Sequence, residues 1–456
     1  MERKNAWAAY AGDDGRVEAF AKAYCDFINN GKTERECVAY GEKLAKAHGF
    51  EDLNAAVRSG RKLEAGARVY ANWMGKSFML FVLGEKPLEE GMNILGAHID
   101  SPRIDVKQNP LYEDTDLAYL DTHYYGGIKK YQWPTVPMSL HGVIVKSDGS
   151  KVTVRIGEDE GDPVFVVTDL LPHLAEEQYK RPATKLIKGE ELNILIGSRP
   201  FRDDKISEKV KLNLMNILFE KYGIVEKDFL SAELECVPAF KAKDVGFDRS
   251  LVGAYGQDDR VCAYTAFTAI IDMKAVPEKT AVCIFADKEE IGSEGVSGMQ
   301  GEVFEYFMES LCKAQGVDLR TCLANSFCLS ADVCAAFDPG FSEVFERKNA
   351  AYLNYGVGLC KYTGSGGKSG ASDASSEVVG KIRRLLNDHK IAWQMCELGK
   401  TDAGGGGTVA KYMAKRNIDT LDAGVPVLSM HAPFEVVAKY DCYMTYRAVK
   451  AIFEEN

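Results

Sequence analysis

The sequence predicts an α/β fold: a mixed, mostly parallel sheet flanked by helices, with an inserted β-rich domain. From about residue 251 onward, strand-like apolar runs alternate with segments of helical periodicity, and this alternation is typical of a mostly parallel sheet. Between about residues 103 and 248 the chain instead contains short alternating strands and turns. We therefore expect a discontinuous main domain, residues 1–103 and 249–456, and an inserted domain, residues 104–248.

The first elements are two helices within residues 15–48. Apolar positions recur at helical spacing in RVEAFAKAYCDFINN, and Thr33 with Glu36 forms a capping-box pattern that opens the second helix. Gly49 ends it. Strand-like segments follow, among them the apolar run MNILGAHID. The clearest element of the insert is a hairpin, in which Asp148-Gly149 supplies the turn between HGVIV and KVTVRIG.

Composition and charge exclude two classes of protein. The 456 residues are 46% hydrophobic and 27% charged, which gives enough apolar surface to exclude a disordered chain. The 56 Lys and Arg residues stand against 67 Asp and Glu residues, a formal charge of −11, and no basic run occurs. Because a nucleic-acid binder needs a concentrated basic face, we expect no nucleic-acid partner.

The cysteines indicate a reducing compartment. There are 12 of them without any Cys-x-x-Cys, and Cys283 and Cys328 lie in apolar runs, where a thiol behaves as a small hydrophobe. No apolar run reaches about 18 residues, and the first residues do not resemble a signal peptide. We therefore expect a cytoplasmic protein with no membrane association.

Ionisable side chains follow each apolar strand. MNILGA leads to His98 and Asp100, TAVCIFAD to Glu289-Glu290, SFCLSA to Asp332 and VPVLSM to His431, while Asp258 opens a helix just after LVGAY. In a parallel sheet, side chains beyond the carboxyl ends of strands meet in one crevice. Imidazole and carboxylate donors suit zinc, cobalt or manganese, so the pattern predicts a metal centre.

Each of these residues also has an ordinary structural explanation. A strand-end histidine is often only hydrogen-bonded, Asp258 and Asp332 could be helix N-caps, and Glu289-Glu290 could be a solvated loop pair. Together they match a two-metal site, which needs a bridging carboxylate with His and carboxylate ligands on ions about 3.5–4 Å apart. One of the two adjacent glutamates could then bind metal while the other acts as general base, with Asp100 orienting His98.

Other catalytic schemes have less support. The sequence has no Gly-x-Ser-x-Gly elbow and no HExxH, and no cysteine lies in an electropositive loop. Gly367-Lys368-Ser369 suggests a phosphate loop, but Tyr362 stands where such a loop needs its first glycine.

The strings GAHIDSPR, DKEEIGSEG, SADV and SMHAP resemble the aspartyl aminopeptidase and vacuolar aminopeptidase I family of dinuclear zinc metallopeptidases. The resemblance runs essentially end to end and includes YGG at 125–127, LLPHLA and GGGGTVAK. It implies a zinc-peptidase-like catalytic domain, an oligomerisation role for the insert and two Zn²⁺ ions per subunit. The metal and catalytic residues it implies are His98 and Asp332 on one zinc, Glu290 and His431 on the other, Asp258 as the bridge, Glu289 as general base and Asp100 as the histidine-orienting acid.

The resemblance also implies substrate-binding residues and partners. His173 in LLPHLA matches a histidine that reaches the active site of a neighbouring subunit, and Lys361 matches a lysine near the substrate pocket. The family forms a homododecamer built from dimers and acts on peptides. The 369–372 segment is spaced differently from members that cut after acidic residues, so acidic and neutral preferences both stay open.

The leading hypothesis is a metalloaminopeptidase that removes single N-terminal residues, acidic or neutral, with a two-metal-activated water. One alternative keeps the metal site in a deacylase or carboxypeptidase. A second alternative is a non-catalytic, self-assembling shell protein, although a vestigial site should have lost at least one of the ligands.

Overall fold

The computed structural model describes residues 4–202 and 207–455. These residues form two compact units. One is built from the described parts of segments 1–100, 242–430 and 434–456, and the other from segments 101–241 and 431–433. The sequence predicts domain boundaries at 103/104 and 248/249. Whether the segments between them fold as separate domains stays a prediction. No described helix has the length and apolar character needed to cross a membrane.

The helices belong mainly to the first unit. In chain order they are α1 (Ala6–Ala9), α2 (Asp14–Asn30), α3 (Glu34–Ala47), α4 (Leu53–Arg58), α5 (Glu176–Tyr179), α6 (Lys209–Tyr222), α7 (Gln257–Ile271), α8 (Val303–Gln315), α9 (Leu319–Ala324), α10 (Ser376–Asp388), α11 (Ala410–Lys415) and α12 (Lys439–Phe453).

The strands are short, and most have two to seven residues. In chain order they are β1 (Glu51–Asp52), β2 (Arg68–Trp73), β3 (Ser77–Val82), β4 (Met92–His98), β5 (Arg103–Asp114), β6 (Leu117–Tyr125), β7 (Met138–Val145), β8 (Lys151–Ile156), β9 (Val166–Val167), β10 (Ile194–Gly197), β11 (Ala232–Pro238), β12 (Lys243–Val245), β13 (Leu251–Ala254), β14 (Thr280–Ala286), β15 (Phe327–Ser330), β16 (Cys334–Ala335), β17 (Val357–Cys360), β18 (Trp393–Met395), β19 (Asp419–Gly424), β20 (Pro426–Leu428) and β21 (Glu435–Ala438).

The first unit is organised around a nine-stranded sheet of order β1-β2-β3-β14-β4-β15-β19-β17-β18. The pairs β1–β2, β14–β4, β4–β15, β15–β19 and β17–β18 are parallel, and the other three pairs are antiparallel. This mixed, mostly parallel sheet confirms the predicted fold class. A five-stranded sheet, β12-β13-β21-β20-β16, completes the unit.

Helices cover both faces of the nine-stranded sheet. Along β14, Cys283 and Phe285 pack into one apolar core with residues of α2, α7 and α12, whereas Val282 and Ile284 pack into a second core with residues of α8 and α11. This division follows from the two-residue period of a strand. Each fully buried aliphatic or aromatic side chain contributes about 1.5–3 kcal/mol to folding. The central strands are therefore a stable support for the side chains at the edge of the sheet.

The start of the second helix matches its predicted cap. Thr33 is the N-cap of α3, and its hydroxyl accepts a hydrogen bond from the backbone N–H of Glu36 at 3.3 Å. The Glu36 carboxylate accepts in turn from the N–H of Lys32 at 3.0 Å. The helix ends at Ala47, and Gly49 follows with φ +82°, as the glycine stop signal predicts.

The second unit contains a seven-stranded sheet, β8-β7-β11-β5-β6-β10-β9, in which all neighbouring strands are antiparallel. The predicted hairpin is its β7–β8 pair, with Val145 opposite Lys151. Gly149 has φ +82° in the turn, and Asp148 accepts a hydrogen bond from the N–H of Ser150 at 2.8 Å. The β-rich character expected of this segment is therefore present.

Candidate metal centre

Three neighbouring parallel strands deliver ionisable side chains to one edge of the nine-stranded sheet. β14, β4 and β15 are adjacent and parallel, with Ala286 opposite His98 and Ser330 opposite Gly96. Glu289 and Glu290 lie in a 3₁₀ turn just beyond β14, and Asp332 lies two residues beyond β15. Because parallel strands end at the same edge, these side chains and His98 are close together here.

His98 is the centre of this cluster. Its side chain is 1% exposed, and its Nε2 lies 3.1 Å from Asp258 Oδ1 and 3.9 Å from Glu289 Oε2. Its Nδ1 lies 3.0 Å from the Asp100 carbonyl oxygen, and a hydrogen there would leave the lone pair of Nε2 for a cation. Burial alone lowers the pKa of His98, but hydrogen bonds with the Asp100 and Asp258 carboxylates raise that pKa well above its ordinary value.

Asp100 ties His98 to the glutamate pair. One carboxylate oxygen accepts a hydrogen bond from the backbone N–H of Glu289 at 3.1 Å, and the other accepts from the N–H of Glu290 at 3.2 Å. The same carboxylate lies 3.4 Å from His98 Nδ1. Asp100 is buried, so these contacts fix the turn that carries both glutamates.

Asp258 and Asp259 lie in the first turn of α7, where neither has helical φ and ψ angles. The N-cap residue of α7 is Gly256, so Asp258 is not the N-cap. Asp259 is fully buried, and its two carboxylate oxygens accept hydrogen bonds from the backbone N–H of His98 at 3.3 Å and of Val333 at 3.2 Å. Asp259 therefore joins the ends of β4 and β15.

Two groups of side chains in the described residues can hold a metal ion. One is His98, Asp258 and Glu290, and the other is His98, Asp259 and Asp332, each with one ligand atom per residue within 4.8 Å of the others. Sequence reasoning assigned no role to Asp259. The only clue in the sequence was that Asp259 follows Asp258 just after a strand. Only the folded chain shows that its carboxylate lies near that of Asp332.

The donor set fits a divalent cation. Imidazole nitrogen and carboxylate oxygen are the ligands that zinc takes at catalytic sites. Burial raises the pKa of both the Asp259 and the Asp332 carboxyls well above the ordinary value. The negative charge of Asp258 raises the pKa of Asp259 further, and that of Asp259 raises the pKa of Asp332 further. A cation at this position would relieve the repulsion that these buried carboxylates otherwise experience.

Besides Asp100 and Glu289, three predicted site residues lie outside these two groups. His431 has φ +65° and belongs to the second unit, where its Nδ1 lies 2.8 Å from the carbonyl oxygen of Gly127. His173 lies in a 3₁₀ turn, Pro172–Leu174, that is exposed and flanked by exposed leucines. Lys361 directly follows β17, and its Nζ lies 2.6 Å from Asp373 Oδ1.

A cleft of about 360 Å³ is lined by residues that directly follow Lys361 in the sequence. Two loops line it, one within residues 362–368 and one within residues 397–404. The Tyr362 hydroxyl donates a hydrogen bond to Glu397 at 2.8 Å and joins the loops, while Lys368 lies 3.2 Å from Asp373. Two lysines thus share the single carboxylate of Asp373, and the hydrogen bond with Lys361 lowers the pKa of Asp373.

An α/β fold with a buried cluster of imidazole and carboxylate groups at the C-terminal ends of its parallel strands is typical of a metal-dependent enzyme. The family described as aminopeptidase I zinc metalloprotease (M18) matches residues 27–453. The chain belongs to this family, and it is a metalloaminopeptidase. This family membership favours the aminopeptidase hypothesis over the deacylase, carboxypeptidase and shell alternatives.

Relatives and solved structures agree. A probable M18 family aminopeptidase 1 of Clostridium acetobutylicum is 52% identical over 99% of this chain and 98% of that protein. The crystal structure of an M18 aminopeptidase from Thermotoga maritima has a TM-score of 0.95 at 43% identity and covers 100% of both chains. That of aminopeptidase I from Clostridium acetobutylicum has a TM-score of 0.93 at 50% identity over 99% of both chains. The S. cerevesiae mApe1 dodecamer shares the fold, with a TM-score of 0.77 at 21% identity over 95% of this chain and 96% of that one.

Proposed function

We propose that the chain removes single residues from the N-termini of peptides at a two-zinc centre on the carboxyl edge of the nine-stranded sheet. The ligands in this proposal are His98 and Asp332 on one ion, Glu290 and His431 on the other, and Asp258 as the bridge. The observation that carries it is the pair of metal-type groups that share His98, which contain four of these five ligands, all except His431. Co²⁺ or Mn²⁺ could replace Zn²⁺ in the same donor set.

When bound, the two cations supply Lewis acidity, which polarises the scissile carbonyl and makes water a better acid. The protein's own part begins with Glu289, whose side chain is 17% exposed and therefore open to water. Its carboxylate takes a proton from the attacking water and returns a proton to the departing amine. Asp100 acts as a positioning residue, because it accepts hydrogen bonds from the N–H groups of Glu289 and Glu290.

Replacing the general base tests this proposal. We expect Glu289→Gln to lower kcat/KM for aminoacyl substrates by about 10²–10⁴-fold. Zinc content and melting temperature should stay the same, because the amide is isosteric and the Asp100 contact is made by the backbone. Glu294→Gln, an exposed acid in the same loop, is the matched control. Unchanged activity in Glu289→Gln would remove Glu289 from the role of base.

The nature of the substrate end can be tested separately. An aminopeptidase requires a free amine, whereas a deacylase requires an acylated one. We expect dipeptides with free N-termini to be hydrolysed and their N-acetylated counterparts to be inert, with zinc-dependent activity abolished by a chelator. Turnover of the N-acetylated dipeptides alone would support the deacylase alternative.

We also propose a cytoplasmic homo-oligomer, a homododecamer built from dimers, in which His173 reaches a neighbouring active site and Lys361 lies near the substrate side chain. The dodecameric S. cerevesiae mApe1 structure supports the assembly through its shared fold. The exposed leucines around His173 support a contact there, and the buried thiols support a reducing compartment. The preference for acidic or neutral first residues stays open.

A further inference from the structure

Three buried cysteines meet next to the two loops that line the cleft. Cys334 lies in β16, Cys360 ends β17, and Cys396 directly follows β18. The Sγ atoms of Cys360 and Cys396 lie 3.0 Å apart, and the three thiols share one buried cluster with Ala351. None of these residues belongs to the candidate metal centre, and the proposed reaction uses none of them.

The sheet register brings Cys360 and Cys396 side by side. Leu359 is opposite Met395 in the parallel β17–β18 pair, and the backbone N–H of Cys396 donates to the carbonyl oxygen of Leu359 at 2.9 Å. Cys360 and Cys396 each follow one residue of this pair, so they lie side by side on adjacent strands, which are about 4.8 Å apart. Disulfides join residues whose Cα atoms are about 4.4–6.8 Å apart, so the usual spacing of adjacent strands suits a bond between these two cysteines.

Gly358 makes room for the cluster. A Cβ at this position would lie 2.5 Å from the Cys334 sulfur and 2.9 Å from the Cys396 sulfur, both far inside contact distance. Its φ is not in the left-handed region, so the glycine is required here for space and not for backbone conformation. The thiols can therefore approach each other only because this strand position has no side chain.

The two loops that line the cleft each begin directly after one of these two cysteines. Cys360 immediately precedes Lys361, and Cys396 immediately precedes Glu397. Beyond them the loops are joined by the Tyr362–Glu397 hydrogen bond at 2.8 Å and by the bond from the N–H of Gly364 to the carbonyl oxygen of Gly406 at 2.6 Å. A covalent bond between the sulfurs would fix the separation of the loops where they leave the sheet.

We propose that Cys360 and Cys396 form an oxidisable dithiol site, in which a peroxide converts the pair to a disulfide that locks together the loops within residues 361–375 and 397–408. Cys360 is 9% exposed and Cys396 is 2% exposed, so Cys360 reacts first. The inference does not rest on the proposed function, because no assay of peptide hydrolysis is needed to test it.

The reaction balances with hydrogen peroxide as the two-electron oxidant. The Cys360 sulfur attacks one peroxide oxygen, the O–O bond breaks, and the leaving hydroxide takes the thiol proton to form water. The Cys396 sulfur then attacks the Cys360 sulfenic acid, the S–O bond breaks, and the leaving hydroxide takes the second thiol proton. The net change is two thiols and one peroxide to one disulfide and two waters.

Cys334 is the third thiol and the natural competitor. A hydrogen bond with Cys360, together with burial, raises the pKa of Cys334 well above its ordinary value. The pKa of Cys360 is raised in the same direction, because the lowering by the hydrogen bond with Cys334 is outweighed by the hydrogen bond with Cys396 and by burial, so the pKa does not select the partner. The 3.0 Å Sγ–Sγ distance and the β17–β18 register favour Cys396 as the partner of Cys360.

Mass mapping of the full-length zinc-loaded protein tests the pairing. After treatment with hydrogen peroxide, we expect a loss of about 2 Da and a tryptic peptide pair joined through Cys360 and Cys396, both reversed by a phosphine reductant. Cys396→Ser should abolish this cross-link, and the matched variant Cys334→Ser should keep it. A Cys334–Cys360 cross-link, or sulfenic or sulfinic Cys360 without any cross-link, would overturn the pairing. The wild-type map decides the question even if a variant fails to fold.

Limited trypsin digestion tests the locking of the loops. Lys368 and Lys400 lie in the two loops and line the cleft. We expect cleavage after these lysines to slow in the oxidised wild-type protein and to recover on reduction, because a cross-link at the roots restricts local opening. In Cys396→Ser the peroxide should have no effect on the cleavage rate. Equal rates in oxidised and reduced wild-type protein would overturn the locking.

Discussion

Asp259 connects two of the strand ends that carry metal-type side chains. Its buried carboxylate accepts hydrogen bonds from the N–H groups of His98 and Val333, the latter directly after Asp332. A carboxylate can accept at both oxygens, whereas an asparagine amide can accept at only one and would turn an N–H group against the other donor. The residue therefore fixes the relative position of His98 and Asp332, whether or not its own oxygens contact a metal.

We expect Asp259→Asn to weaken zinc binding by about 10–100-fold, as loss of a supporting contact does at other metal sites. In the metal-free protein, one buried N–H loses its acceptor, which costs about 1–3 kcal/mol, and removal of the buried negative charge offsets part of this cost. Zinc titration against a competing chelator and urea unfolding without metal measure the two effects. Asp402→Asn, at an exposed position, is the control. Unchanged zinc affinity would contradict the positioning role.

Asp373 controls the charge beside Lys361. It pairs with Lys361 at 2.6 Å and with Lys368 at 3.2 Å, so Asp373→Asn leaves both lysines without this carboxylate. If Lys361 lies near the substrate side chain, kcat/KM for peptides with acidic first residues should rise relative to neutral ones. We expect about a two- to fivefold change in the ratio, since exposed ion pairs are worth about 0–1 kcal/mol.

Steady-state kinetics with paired dipeptides, Asp or Glu against Ala or Leu in the first position, measure this ratio. Asp388→Asn removes the same charge from an exposed position at the end of α10 and should leave the ratio unchanged. A ratio that stays constant in Asp373→Asn would place Lys361 away from the substrate side chain.

The sequence predicted those site residues whose position follows from local order. His98 and Asp332 follow long apolar runs, and such runs form the central parallel strands, so their meeting at one edge was predictable. Asp259 was missed because its hydrogen bonds join residues 74 and 161 positions apart in the chain. Asp373 was missed because it lies in a loop without periodicity. Those contacts leave no local pattern.

At the scale of the element, α3 depends on its predicted N-cap. The Thr33 hydroxyl accepts from the N–H of Glu36, which would otherwise have no partner within the helix. We expect Thr33→Ala to lower the free energy of unfolding by about 0.5–2 kcal/mol, whereas Thr33→Ser should retain most of it. Urea unfolding at constant metal concentration measures both. Equal stability of the alanine and serine variants would show that the cap contributes nothing.

Short strands mark the limit of element prediction. Runs such as TAVCIFA have enough residues to show burial on both faces, and β14 forms there with all seven residues buried. The five-stranded sheet uses strands of two to four residues, such as β16 and β20, which are too short to show a period. Its pairing of β13 with β21 joins residues far apart in the chain, so it was not foreseen.

At the scale of the whole molecule, the proposed homo-oligomer predicts that each active site needs Glu289 from one subunit and His173 from another. The exposure of Leu170 and Leu171, at 51% each, and of Leu174, at 69%, beside His173 is consistent with a surface that another subunit covers. If the claim is correct, two inactive variants should complement each other. A site is restored when its own subunit carries His173→Ala and its donor subunit carries Glu289→Gln.

We therefore expect Glu289→Gln and His173→Ala to be weakly active as separate oligomers and to regain activity when co-expressed. With random 1:1 mixing in a closed symmetric assembly, about a quarter of the sites combine an intact base with an intact donor histidine. The measurement is kcat per zinc-loaded site in purified mixed oligomers that carry two different affinity tags. The matched control mixes Glu289→Gln with a variant that carries both substitutions, in which no intact pair can form and activity should stay at background. Recovery only to the average of the two parents would show that His173 acts within its own subunit or not at all, because a residue that serves its own chain cannot be supplied by a neighbour.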